Sequence, residues 1–431
     1  MSSLLAVSLA LASCDTLRSA TGLPSGAARP QSGEVVASPT PEAKKPGLSA
    51  TVPPAAEPAA PGAPPFTAEL PQDQPVKVAL LLPLSGRLAK LGKAMSDAAQ
   101  MAMFDLADRR FELMPIDDKG TPGGAADAAK QAAANGAQLI LGPLLASSVR
   151  AVVPIAASAN VPVVAFSSDR NVAQPGVYII GFTPEAEVQR VISYATLKGL
   201  NRFAALVPDN LYGSAIADAL RKSAAASGGA VVRIESYDPD TQDFSALMRK
   251  LTGASDAPAG DAQPSMAMLP PLPAFDALLL AEGGPQLRAM AASLAAFGIR
   301  SPGVQLLGTG KWDEPGLGSE TALVGAWYAA PPPSLREEFD VRYKRAFGQP
   351  PPRLATLAYD ATALAAVLAR GPERTPFSPA HLTDPNGFFG RDGLFRLTVD
   401  GVVDRRLAIL RVERNGVDVI DEAPRSFAAG S

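Results

Sequence analysis

Apolar positions along this chain follow two rhythms, and the alternation between them predicts the fold. Three runs in the first half are almost continuously apolar: Val78-Ala79-Leu80-Leu81-Leu82, Gln138-Leu139-Ile140-Leu141 and Val161-Pro162-Val163-Val164-Ala165-Phe166. Strands without a polar side are buried on both faces, as in a parallel sheet covered by helices. Each run enters a small polar loop, Pro83-Leu84-Ser85-Gly86, Gly142-Pro143 or Ser167-Ser168-Asp169. Helical spacing takes over in the segments between, at 94–109, 124–135 and 147–160; in the first, Met95, Ala98, Ala99, Ala102, Met103 and Leu106 form one apolar face. The rhythm then repeats, with strands at 203–208, 231–235 and 275–280 and helices at 214–226, 244–251 and 285–297. Strand-like runs follow at 304–307 and 322–326, helices at 334–347 and 354–370, and two last strands at 394–397 and 406–412. The pattern reads as α/β, with two doubly wound parallel-sheet lobes. In such sheets ligands sit at the carboxyl ends of the strands, where loops and helix N-termini direct hydroxyls and N–H groups outward.

Composition narrows the chemistry. At 431 residues and a net charge of −3, the chain is long enough for two cores and has no basic field that would suit nucleic acid. One histidine, His381, and one cysteine, Cys14, leave no zinc cluster, no internal disulfide and no HExxH helix. His381 reads as an ordinary loop residue. Gly308-Thr309-Gly310-Lys311-Trp312 looks at first like a phosphate loop, but Gln305 and Trp312 stand where that pattern needs glycine and Ser or Thr. Pro83-Leu84-Ser85-Gly86-Arg87 lacks the first glycine of a nucleophile elbow. The expectation is a protein that is not an enzyme and carries no metal or cofactor.

The N-terminal region carries a different signal. Residues 4–12 form an apolar run of signal-peptide length, too short to span a bilayer, and Leu11-Ala12-Ser13-Cys14 resembles a bacterial lipobox. This implies a signal peptide at 1–13 and a lipid on Cys14, holding the protein at the inner or outer membrane of a Gram-negative bacterium, on the periplasmic side. From 14 to 75 the chain is dominated by Pro, Ala, Ser and Gly and reads as a disordered linker. Such a linker would place its ends about 45 Å apart as a coil and about 190 Å apart in polyproline form. A second Pro- and Ala-containing stretch at 253–273, with Met266 and Met268, reads as a surface loop.

Residues 76–424 resemble a known family. Leu81-Leu82-Pro83-Leu84-Ser85-Gly86 at the start, Ala358-Tyr359-Asp360-Ala361 on a late helix and Gly387-Phe388-Phe389-Gly390-Arg391-Asp392-Gly393 near the end are similar to type 1 periplasmic-binding proteins of the leucine-receptor group. The resemblance implies two lobes joined by three hinge crossings, with a ligand held as they close. By analogy the crossings fall at 178–182, 325–329 and 383–390, so that lobe one comprises 76–181 with 326–383 and lobe two 182–325 with 384–424. An amino-acid ligand would bring a carboxylate suited to hydroxyls and N–H groups, and an ammonium suited to a carboxylate. Ser85, Ser147, Ser167 and Ser168 are candidates for the first task. Asp169, Glu282 and Asp209 are candidates for the second, with Tyr212 closing over the ligand. Trp312 and Tyr328 are read either as aromatics at the cleft rim or as core aromatics.

The family's amino-acid receptors commonly carry an arginine on the first crossing strand, whereas this chain reads Ile180-Gly181-Phe182-Thr183-Pro184-Glu185. That departure points to something other than a free amino acid in the cleft, or to nothing held there. Envelope lipoproteins that activate penicillin-binding proteins carry a domain of this fold, whose first strand is similar to 79–86 and which also has a stretch like Gly142-Pro143-Leu144-Leu145. The first expectation is therefore a regulator of peptidoglycan synthesis whose partner is a penicillin-binding protein. The alternative is the substrate-binding receptor of a branched-chain-type amino-acid ABC transporter, whose partner is a permease.

Overall fold

The computed structural model describes residues 74–252, 274–371 and 375–427. The expected leader, Cys14, the linker up to residue 73 and the insert at 253–273 lie outside the described residues. Among those residues, no helix is long and apolar enough to cross a membrane.

The first part of the chain builds a five-stranded sheet: β1 (Val76–Leu82), α1 (Ala89–Leu106), β2 (Phe111–Asp117), α2 (Pro122–Ala134), β3 (Leu139–Leu141), α3 (Ala146–Ala159), β4 (Val163–Ala165) and β5 (Val177–Ile179). The strands run parallel in the order β2-β1-β3-β4-β5. Val78, Leu80 and Leu82 face one side and Ala79 and Leu81 the other, all buried, so the continuous apolar run fills two cores at once. α2 and α3 cover the second face.

β2 escaped the sequence reading. It is an edge strand in which burial is intermittent and Pro115 interrupts the donors, so it lacks the apolar run that marks the central strands.

The chain next builds lobe two: α4 (Pro184–Leu197), β6 (Arg202–Pro208), α5 (Leu211–Ala226), β7 (Ala230–Tyr237), α6 (Ser245–Thr252), β8 (Ala277–Leu280), α7 (Gly284–Ala296), β9 (Gln305–Gly308) and β10 (Trp327–Ala330). It then returns to lobe one with α8 (Ser334–Phe347), α9 (Ala355–Ala369), α10 (Pro379–Leu382) and a small antiparallel sheet of β11 (Phe388–Gly390), β12 (Gly393–Leu397) and β13 (Val403–Arg405). α9 packs on α1, and Leu357, Ala361 and Phe395 join the core of the five-stranded sheet. The chain finishes in lobe two with β14 (Ala408–Glu413) and β15 (Gly416–Asp421), antiparallel additions to a sheet ordered β15-β14-β10-β9-β8-β6-β7.

This topology corrects two of the three expected crossings. The first lies between Ile179 of β5 and Pro184 of α4. The second was expected at 325–329, but β10 pairs with β9 and β14 inside the seven-stranded sheet, so the chain leaves lobe two only at 331–333, three prolines whose fixed φ makes a stiff connection. The third was expected at 383–390, but β11 to β13 pack on lobe one and Leu407 is in the lobe-two core, which moves it to 406–407. Among the described residues, lobe one is therefore 76–181 with roughly 334–405, and lobe two is 184–330 with 407–421.

The expected strand at 322–326 is likewise displaced. Gly325 takes φ 86° in a turn closed by the Ala326 N–H bond to the Leu323 carbonyl at 2.9 Å, and the strand starts after it.

Candidate functional site

A cavity of about 290 Å³ lies between the lobes beside the first two crossings. Lobe one contributes Ser168 at the carboxyl end of β4, and Arg353 and Leu354 at the start of α9. Lobe two contributes Glu187 of α4, Tyr212 of α5, and Gly310, Lys311 and Asp313 in the turn after β9. Phe182, Pro184, Ala330 and Pro331 of the crossings form an apolar wall. The site thus occupies the place that parallel α/β sheets offer, outside the carboxyl ends of their strands.

Local structure fixes each of these groups. Asn210 caps α5 through the Gly213 N–H at 3.0 Å, which sets Tyr212 in the first turn, where its hydroxyl lies 3.0 Å from the Thr309 Oγ1. Thr309 accepts from the Lys311 N–H at 3.4 Å in a single turn of 3-10 helix, Gly310–Trp312. The Lys311 ammonium lies 4.0 Å from the centre of the Tyr212 ring and 3.6 Å from Glu282 Oε2. Glu187 lies on the buried face of α4 with Val188, Val191 and Ile192 and accepts the Gly310 N–H at 2.9 Å. A side chain at Gly310 would put its Cβ 2.4 Å from the Glu187 Oε1, so only glycine lets the carboxyl and the turn meet. Burial pushes Glu187 up to about 7, against the Gly310 hydrogen bond and the charge of Arg353. Burial also raises the Tyr212 phenol, which stays neutral.

Asp313 links the lobes. Its Oδ2 accepts from Arg336 Nη1 of α8 at 2.8 Å and from Arg353 Nε at 2.7 Å, both in lobe one. Arg353 also pairs with Asp392 at 2.9 Å, and its guanidinium lies 4.2 Å from the Phe182 ring centre.

A profile of the periplasmic binding protein family matches residues 75–416, which includes both lobes and every residue of this cavity. The chain belongs to that family. Among solved structures, a leucine binding protein of Thermotoga maritima is 20% identical, with a TM-score of 0.57 over 80% of this chain and 97% of its own. A solute binding protein of an ABC transporter from Rhodopseudomonas palustris, solved with 3,4-dihydroxybenzoic acid, is 19% identical, with a TM-score of 0.59 over 81% of this chain and 96% of its own. At these identities the likeness is one of fold, that of a type 1 periplasmic binding protein. An uncharacterized protein of Rickettsia prowazekii is 20% identical over 185 residues, 43% of this chain. The match spans about half the length of that curated relative, 49%.

Of the residues singled out in the sequence, this periplasmic binding protein brings Ser168 and Tyr212 to the cavity. Ser85 is exposed at the end of β1, where its N–H bonds Asp117 at 3.2 Å, and Ser147 is exposed on the first turn of α3. Ser167 is buried and its hydroxyl accepts the Asp169 N–H at 3.1 Å. Asp169 caps a turn at the Asn171 N–H and pairs with Arg150 at 2.9 Å, so neither serves the cavity. Asp209 is exposed and does not line it. Glu282 stands behind Lys311, holding the Tyr237 hydroxyl at 3.0 Å. Trp312 and Tyr328 are core residues rather than rim residues: both are buried, with ring centres 6.0 Å apart. His381 is half-buried in α10 rather than in a loop, with Nδ1 3.0 Å from the Ser378 Oγ.

Glu187, Lys311, Asp313 and Arg353 were not anticipated as site residues. A carboxylate on the apolar face of α4 was a readable signal for Glu187, and a lone cation between a proline run and an apolar helix was one for Arg353. Lys311 was visible only inside a rejected phosphate loop.

Proposed function

We propose that this chain is the solute-capturing receptor of an ABC-type importer, holding a small organic molecule between its lobes on the periplasmic side of the envelope. The observation that carries this reading is the cavity lined by both lobes and two crossings, where closing and ligand contact are one event. Membership of the family and the likeness to transport receptors support it. They favour it over the regulator that the sequence put first. The reading includes an anchor at Cys14; labelled palmitate incorporated by the wild type and lost in Cys14→Ala is the expected result.

The test is a thermal-shift screen of the full chain against amino acids, short peptides, and aliphatic and aromatic acids. A ligand at about 100 times its dissociation constant adds ~2.7 kcal/mol to stability, an easily seen shift. Stabilisation by at least one solute, lost in Tyr212→Ala, is expected; no stabilisation across the panel overturns the reading.

One observation favours a second reading, a protein-binding regulator of penicillin-binding proteins. Asp313 already joins the lobes through two arginines of the protein itself, so closure does not need charges from a ligand. Co-purification with a penicillin-binding protein, together with stimulation of its polymerase activity, would support that reading, and absence of both would remove it.

A further inference from the structure

The receptor reading leaves open what kind of solute fits, and the charges around the cavity bear on that. An ammonium group brings three donors and a full charge, and it needs an anion or several acceptors not already engaged. Two carboxylates line the cavity, and each already has a partner inside the protein. Asp313 holds two arginines on one oxygen. Glu187 is buried against the Gly310 N–H, and burial disfavours its charged form. Glu282, the acid expected from the sequence to take an amino group, does not line the cavity; it is bound by the Tyr237 hydroxyl and faced by the Lys311 ammonium.

Lys311 places its own ammonium against the Tyr212 ring and beside the Glu282 carboxylate, the surroundings that an amino group of a ligand would need. Its side chain is 42% exposed and lines the cavity, as does Arg353. Lys311 and Ser168 therefore line the space beside an apolar wall that includes Phe182, Leu354 and Pro331, whereas Arg353 is already engaged by Asp313 and Asp392 and stacked on Phe182. A carboxylate on a small apolar body meets both sides; an amino group on that body would be set beside Lys311.

Resting on the receptor reading, we infer that Lys311 acts as a built-in ammonium that makes the cleft select monocarboxylic acids lacking an amino group, and reject the corresponding amino acids.

The test is calorimetric titration of the full chain with two matched pairs: 4-methylpentanoate against leucine, and 3-phenylpropanoate against phenylalanine. The members of each pair differ only in the amino group. The acid of at least one pair is expected to bind roughly 10²-fold more tightly than its amino acid, the scale of a like-charge contact. Lys311→Met is expected to weaken the acid about tenfold and to remove the like-charge contact with the amino acid, narrowing the ratio; Lys311→Arg is expected to keep it. Lys311 is a surface side chain, and an unchanged melting temperature in both variants confirms that they are folded. Tighter binding of the amino acid in either pair, an unchanged ratio in Lys311→Met, or no binding of either acid overturns the inference. The receptor reading survives all three as long as some other solute in the wider screen binds, and falls only if none does.

Discussion

Arg353 touches two groups of charged residues that are built from the same side chains and do opposite things. Inside lobe one, Asp360 accepts the backbone N–H groups of Arg391 at 2.7 Å and Asp392 at 3.3 Å, and the turn comes so close that a Cβ on Gly390 would lie 2.3 Å from the Asp360 Oδ2. Arg405 is buried nearby, stacked between Phe182 and Phe395 with ring centres 4.9 and 5.1 Å away. Burial, then the neighbouring charge of Asp392, pushes Asp360 up to about 7. This inward group fastens the turn between β11 and β12 to α9. The outward group of Glu187, Lys311 and Asp313 faces the cavity, and Asp313 joins one lobe to the other. Asp360, held by backbone donors of its own lobe, serves the fold, whereas Asp313, held by side chains of the other lobe, can exchange partners with a ligand.

The sharpest way to break this contrast is Asp360→Ala. It leaves the backbone N–H groups of Arg391 and Asp392 without their acceptor, and should cost about 3 kcal/mol in urea denaturation. A loss under about 1 kcal/mol would mean that the inward group does not secure the fold.

Next in size is the pH dependence of Glu187. Because its carboxyl titrates at about 7 when folded and lower when unfolded, the native state holds more protons between those values. Its contribution is therefore full at acid pH and is lost as pH rises through about 7. Asp360, at about 7, and Asp118, raised by burial to about 6, act in the same direction. Glu187→Gln should remove a part of the acid-to-neutral decline on the order of 3 kcal/mol, read from urea midpoints at several pH values. Parallel profiles for the two proteins would refute the buried-acid account.

Asp313→Asn should cost about 2 kcal/mol and, by releasing both lobe-one arginines, increase the radius of gyration in small-angle scattering. An unchanged radius would show that the bridge does not hold the lobes. The smallest effect is expected at the exposed Arg150–Asp169 pair, where Arg150→Ala should change stability by under about 1 kcal/mol and leave solute binding unaltered.

The same contrast explains what could be read from the sequence. The central strands were legible because a strand buried on both faces leaves a long apolar run, as in 78–82, while the edge strands β2 and β15 and the short β11 and β13 leave none. Ala358-Tyr359-Asp360-Ala361 and Gly390-Arg391-Asp392 carried the family resemblance, and in the fold they are the two halves of the inward clasp. The cavity was harder to read, because its charges come one or two at a time from α4, α9 and the turn after β9. Serines at strand ends are a weak guide in such a sheet: Ser167 and Ser168 are adjacent, yet one is spent on the Asp169 N–H and the other reaches the cavity. Crossing positions shifted because apolar strands of the two lobes look alike, and only the pairing of β10 with β9 and β14 assigns it to a lobe.

The return of the chain to lobe one also governs the order in which the molecule can be made. α1 leaves the ribosome early, but α9, which packs on it, begins only at Ala355. At 5–20 residues per second, roughly 10–50 s of synthesis separate the two. Throughout that interval one apolar face of the first sheet has α1 but not α9 over it, an exposure that a chain with consecutive lobes would not have.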